Sequence, residues 1–344
     1  MMSARLEPAV KTAVGVLVQS RLLRTAVCRS ARRTANILYY HHVGASTPHY
    51  QAFHSGCTAS KFARDLQWLS SVFEIATLGD IIACGRDDTT LERPRLAITF
   101  DDGFDVRTSG VMQILDDCRV RATTFVITSC IDNQRMMWRH MLSAIQALTR
   151  EIVWRREFNE LSLACHFRPT ARDEGLLSAA ARWDMRHKDE WAALLWSRCG
   201  LPPLREYLEE TRPYFTWTGL EQWLAAGHSV GFHTHTHPFC SQLQHADLDH
   251  ELVQPALDLK RRLGISQLPL SYPFGDRLQP ALERTLFDRG IFQALLGIKG
   301  FSPRGTPNEK LERAGAEADH IGWTLFRSAL VARSPARRAQ GDAA

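Results

Sequence analysis

The pentapeptide Leu96-Ala97-Ile98-Thr99-Phe100 constrains this chain more than any other stretch. It is a short apolar run without polar alternation, and it leads directly into Asp101-Asp102-Gly103. A strand buried on both faces reads this way, and such strands belong to parallel sheets with helices packed outside. Helical spacing opens at Val111 and a second apolar strand is expected over 122–128, giving the strand–helix–strand unit of an α/β fold. Ile37–Tyr40 predicts an earlier strand that ends in His41-His42. Phe62, Leu66, Trp68 and Leu69 predict a helix over 61–73. The rhythm returns late, with a helix over 219–226, a strand at Ser229–Phe232 and a loop from His233 to Phe239. A helix over 247–263 stopped by Gly264 follows, then a strand over 269–272 leading into Pro273-Phe274-Gly275.

Residues 131–215 interrupt this order. Five of the nine tryptophans (Trp138, Trp154, Trp183, Trp191 and Trp196) fall there among Arg- and Glu-rich helical patterns, which reads as a helical insertion or lid on one larger domain.

Charge narrows the partners. Residues 1–34 carry seven basic residues and one acid, a balance of +6, so with a total of +5 the rest of the 344-residue chain stands at −1. A nucleic-acid-binding body would be basic across a face, and this body is not. No apolar stretch approaches the roughly 18–20 residues of a membrane-spanning helix. The basic start is a poor secretory signal, because its short apolar run is followed at once by Arg21 and Arg24. Val10, Val14, Leu17 and Val18 would let it lie on a membrane surface as an amphipathic helix, and a solvated basic leader is the equal alternative. The expected organisation is a leader over 1–34, one domain over 35–330, and a flexible tail over 331–344. The expected location is cytoplasmic or peripheral to the inner membrane. Eight cysteines without a CxxC pair exclude thiolate zinc knuckles and read as reduced, mostly buried thiols.

Three strands end in polar clusters, and in parallel α/β folds sites gather at the carboxyl ends of strands. Adjacent Asp101 and Asp102 repel one another, so burying both calls for a compensating cation; a metal on one carboxylate leaves the other as a base. His233-Thr234-His235-Thr236-His237 puts three imidazoles into five residues. His233, His235 and His237 share a face if the strand continues, whereas His233 and His237 converge alone if the chain turns after Phe232.

Taken together and in order, Thr-Phe-Asp-Asp-Gly at 99–103, His-Thr-x-x-His-Pro at 233–238 and Tyr-Pro-Phe-Gly at 272–275 resemble the polysaccharide deacetylase family with the NodB homology domain. The resemblance runs from about Ile37 to Gly275, with a weaker echo to about Leu330. It implies a distorted (β/α) barrel of the NodB type and hydrolysis of N-acetyl groups on amino-sugar polymers. It implies Asp101 as general base, and Asp102, His233 and His237 as ligands of a divalent metal, zinc first, with cobalt or manganese as alternatives. His235 becomes a spectator. It further implies Tyr272 as backbone donor to the oxyanion, with Pro273 and Phe274 walling the acetyl pocket.

Two departures stand out. Many members begin the third motif with an arginine that orients the base, where this chain has Ser271; Arg313 is a candidate substitute outside the expected site. The C-terminal Leu-x-x-His that supplies a general acid is missing, and 311–330 contain only His320. Tyr40-His41-His42-Val43 is similar instead to the Tyr-His motif of the exopolysaccharide, poly-N-acetylglucosamine deacetylase branch, which implies His41 as general acid and His42 as runner-up. The expected partner is an oligo- or polysaccharide, with no nucleic acid. Two alternatives keep the fold: a deformylase or amidohydrolase acting on a lipid-linked sugar, and a silent carbohydrate-binding homologue. The intact Asp101, Asp102, His233 and His237 oppose the silent reading. The tryptophans of 131–215 would serve either to stack on sugar rings or to pack helices on the barrel.

Overall fold

The computed structural model describes residues 21–52, 56–83, 93–317 and 319–331, together with Ala13. Val10, Val14, Leu17 and Val18, on which the membrane-surface reading rests, and the tail after Arg333 lie outside the described residues.

Nine short strands form one all-parallel sheet: β1 (Ile37–Tyr40), β2 (Glu74–Ile75), β3 (Arg95–Phe100), β4 (Thr123–Val126), β5 (Ser229–Phe232), β6 (Pro269–Ser271), β7 (Ala294–Gly297), β8 (Leu311–Glu312) and β9 (Ala314–Gly315). Their order is β8-β7-β6-β5-β4-β3-β1-β9, with β2 beside β3. Tyr39 pairs with Thr99, Thr99 with Thr123, and Val126 with Phe232. The two ends of this order, β8 and β9, are separated in the chain by Arg313 alone, so the sheet curls until it is nearly closed into a distorted (β/α) barrel. Because every pairing is parallel, all carboxyl ends open on one rim.

The predicted double-sided burial of β3 is present: Leu96, Ala97, Ile98, Thr99 and Phe100 are at most 1% exposed. Thr99 is polar but satisfied, donating its hydroxyl to the Leu38 carbonyl at 2.9 Å. The outer helix Ala59–Val72 starts where Thr58 accepts the Lys61 N–H at 3.1 Å, and it buries Phe62, Leu66 and Leu69. Gly264 ends helix Gln254–Leu263 at φ 64°. The helix expected over 247–263 is not uniform: a π turn spans Asp249–Val253, because Pro255 has no N–H to continue the α ladder.

The insertion folds as helices Trp138–Leu148, Glu151–Cys165, Leu176–Ala180, Lys188–Arg198 and Leu204–Thr211 around its own apolar cluster. All five of its tryptophans sit in that cluster, none more than 9% exposed, so they pack helices rather than present faces to sugar rings. Within the expected leader, the described residues begin a helix. Helix Arg21–Ala31 sends Val27 and Ala31 into the main core, and Thr34–Ala35 pairs antiparallel with Ser302–Pro303.

Candidate metal and hydrolase site

β3 delivers both carboxylates to the rim. Asp102 takes the left-handed φ of 66° and Gly103 follows at 68°. A Cβ on Gly103 would lie 3.1 Å from the Val126 backbone, so the third position of Asp-Asp-Gly requires glycine. Thr234, His237 and Phe274 share this left-handed backbone, which concentrates non-glycine strain around one point.

The turn separates the neighbouring carboxylates into different environments. Asp101 faces Arg313, whose guanidinium donates to its two oxygens at 2.7 Å each. The same guanidinium donates to Ser271 Oγ at 2.5 Å and Thr99 Oγ1 at 3.1 Å, and Arg313 is fully buried inside the barrel. Burial would raise the Asp101 carboxyl, but Arg313, together with His233 and His41, holds the group below its ordinary value. The arginine missing at Ser271 therefore arrives from the seam between β8 and β9, and the small Ser271 side chain contacts it.

Asp102 faces histidines. Its Oδ1 lies 3.4 Å from the Nε2 atoms of both His233 and His237, and those two nitrogens are 3.2 Å apart. The three residues offer ligand atoms within 4.8 Å of one another. His233 donates its Nδ1–H to the Ser271 carbonyl at 2.7 Å, which orients its Nε2 toward Asp102. Asp102 Oδ1 is buried without a hydrogen-bond partner. Burial pushes His237 down to about 3, so it stays neutral at ordinary pH. A buried orphan carboxylate oxygen converging with imidazole nitrogens fits a divalent cation. Burial would raise Asp102, but the imidazoles of His140, His233 and His237 outweigh it and hold the carboxyl well below its usual range.

His235 turns away, with Nδ1 2.9 Å from Thr128 Oγ1 and its ring against His250. The reading with two converging histidines is therefore the one the backbone turn produces. His41 lies on the same rim and lines one cavity with Asp101, Asp102, His233 and His237. Glu317 receives both its backbone N–H, at 2.5 Å, and its Nδ1, at 2.9 Å. Burial alone would lower this imidazole, but Glu317 lifts it to about 9. His42, the runner-up, packs edge-on against Phe104 and Tyr50 and is absent from the cavity wall. His320 accepts the Gly322 N–H at 3.1 Å at the start of helix Ile321–Val331, also off the cavity.

The cavity holds about 250 Å³, and Tyr272 and Phe274 line it. Pro273, expected to wall the pocket with them, is buried and is absent from the cavity wall. The oxyanion role expected of the Tyr272 N–H needs correction, since that group is committed to the Leu296 carbonyl at 2.9 Å. Two groups unforeseen from the sequence come from the insertion. His140 sets Nε2 3.2 Å from Asp102 Oδ2 and Nδ1 2.7 Å from the Tyr214 hydroxyl. Trp138 donates its indole N–H to the His237 carbonyl at 3.0 Å.

A parallel barrel whose rim joins an arginine-held carboxylate to an Asp-His-His set is the framework of a hydrolase. The sequence model of the polysaccharide deacetylase family matches residues 88–154 and 197–286. The gap between these matches falls within the helical insertion. The chain belongs to the polysaccharide deacetylase family and is a hydrolase of the N-deacetylase class. Among solved structures it is similar to the Streptococcus pyogenes deacetylase PplD in complex with acetate, at 14% identity and a TM-score of 0.56, covering 85% of this chain and 96% of that one. It is also similar to IcaB from Ammonifex degensii, at 15% identity and a TM-score of 0.53, covering 87% and 97%. At these identities the likeness establishes the fold. No curated protein sequence matches the chain. Among the described residues, no helix is long and apolar enough to cross a membrane.

Proposed function

We propose that the protein removes N-acetyl groups from an amino-sugar unit of an exopolysaccharide or related glycan, using a divalent metal. The observation that carries this reading is the division of labour between adjacent carboxylates: Asp101 is held ionised by Arg313, while Asp102 turns a free oxygen toward His233 and His237. A divalent ion held by Asp102, His233 and His237 would polarise the acetamide carbonyl and acidify a bound water. Asp101, kept ionised and oriented by Arg313, accepts the proton of the attacking water. His41, kept protonated by Glu317, gives a proton to the departing amine nitrogen, which is a poor leaving group without one. Tyr272 and Phe274 shape the acetyl pocket.

A second reading, deformylation or deacylation of one lipid-linked sugar, draws on the size of the cavity. Its 250 Å³ lies below the roughly 300 Å³ at which pockets for drug-sized ligands begin, and the insertion contributes Met137, Ser143 and Leu177 to its wall. The deciding experiment measures acetate and formate release from N-acylated oligosaccharides and from lipid-linked N-acyl sugars, with and without added zinc or cobalt. Metal-dependent acetate release from the oligosaccharides supports the first reading. Release confined to the lipid-linked substrates replaces it with the second.

A further inference from the structure

Arg139 lines the reaction cavity from the first turn of helix Trp138–Leu148. The other basic groups on that wall have acids close by: His41 is paired with Glu317, and His140, His233 and His237 surround Asp102. Among the described residues, the Arg139 guanidinium has no carboxylate within ion-pair reach and no hydrogen-bond acceptor. Its recorded side-chain neighbours are aromatic, with the guanidinium carbon 4.5 Å from the centre of the Phe274 ring and 5.9 Å from that of Trp138. Burial lowers this guanidinium from its ordinary value, opposed by the charge of Asp102. A partly desolvated guanidinium without an anion is costly, and its planar fork matches phosphate and carboxylate oxygens.

Position makes this cation relevant to the reaction. The Phe274 ring centre lies 4.6 Å from that of the His237 ring and 4.5 Å from the Arg139 guanidinium carbon. Arg139 is thus one phenyl ring away from the Asp-His-His focus, close enough to reach a substituent of the sugar whose amide sits there. The same cavity wall carries Arg139, Asp101, Asp102, His233 and His237.

We propose that Arg139 is the specificity subsite of this enzyme, and that the substrate is an amino sugar carrying an oxyanion, a phosphate ester or a uronate carboxylate, on the unit being deacylated. This deepens the N-deacetylase reading and rests on it for the reaction itself. The insertion then does more than cover the barrel, since it supplies the group that selects the substrate.

Calorimetry on the metal-loaded full chain, with glucosamine, glucosamine 1-phosphate, glucosamine 6-phosphate and 2-amino-2-deoxyglucuronate, tests the subsite without turnover. At least one anionic sugar should bind about tenfold or more tighter than glucosamine, the scale of a hydrogen-bonded charge pair. The phosphate and uronate arms identify which oxyanion is read. That preference should fall toward one in Arg139→Gln and be partly retained in Arg139→Lys, which keeps charge without the fork. Equal affinity for neutral and anionic sugars overturns the proposal. So does a preference that survives intact in Arg139→Gln, since the anion then sits on the metal. Acetate release from the N-acetylated counterparts reads the deacetylase reaction separately. If none is released, that reading fails while the affinity ratios still decide the subsite.

Discussion

Replacing Arg313 by methionine should be among the most damaging single changes outside the Asp-His-His set. Methionine keeps an unbranched apolar stem in the barrel and removes the guanidinium, which now donates to both Asp101 oxygens, to Ser271 Oγ and to Thr99 Oγ1. With Arg313 fully buried and Asp101 2% exposed, little water can take its place. Breaking a buried pair from one side costs about 3–5 kcal/mol, because a buried charge is left unmatched. Asp101→Asn should cost a comparable amount by stranding the guanidinium. The double variant removes both charges, so its loss should fall short of the sum by about 2–3 kcal/mol, the upper range for directly contacting residues. Urea unfolding of the wild type, the two single variants and the double variant, at fixed metal concentration, measures that coupling. Losses that add to within about 0.5 kcal/mol would refute the claim that these groups hold one another. Activity gives a second readout, since deacetylation by Arg313→Met should fall by about 10²–10⁴-fold, as for loss of a general base.

Asp101→Asn itself should lose turnover on the same scale while retaining metal, which elemental analysis of the purified variant checks. His233→Ala and His237→Ala should each lose most of the bound metal and His235→Ala almost none; equal loss in all three would restore the alternating-strand reading of this loop. The His41–Glu317 pair gives a pH signature. Its imidazole is lifted from 6.5 to about 9, so the stability it contributes is complete below pH 6.5 and is lost as pH rises through 9. The difference in unfolding free energy between wild type and Glu317→Gln should therefore be larger at pH 6 than at pH 10, and an unchanged difference contradicts the pairing. The alkaline limb of deacetylation should lie near pH 9 and move to lower pH in Glu317→Gln.

What could be read in the sequence was local. The strands Ile37–Tyr40 and Ser229–Phe232 and the three motifs are contiguous, and parallel pairing is enough to bring their carboxyl ends to one rim. The turn after Phe232 could not be chosen from spacing alone, since it depends on Thr234 and His237 adopting left-handed backbone. The groups that tune the site lay beyond reach because they come from distant chain. Arg313 is 212 residues from Asp101 and Glu317 is 276 from His41, and each enters through the strand and loop that close the barrel. A search for a C-terminal histidine passes over Glu317, which serves here by holding a histidine from the other end of the domain. His140 and Arg139 sit among insertion residues whose conspicuous feature is tryptophan, and burial of those tryptophans is what sets the helix bearing both residues against the rim.

Metal titration tests the central claim most directly. The purified protein would be stripped with chelator and reloaded with zinc in measured steps, while acetate release from N-acetylated amino sugars is followed at each occupancy. The two-carboxylate site predicts activity that rises in proportion to bound zinc and ends at one ion per chain, with neither binding nor acetate release in a variant lacking Asp102, His233 and His237. Acetate release that is undiminished after stripping, or that persists in the triple variant, would contradict it.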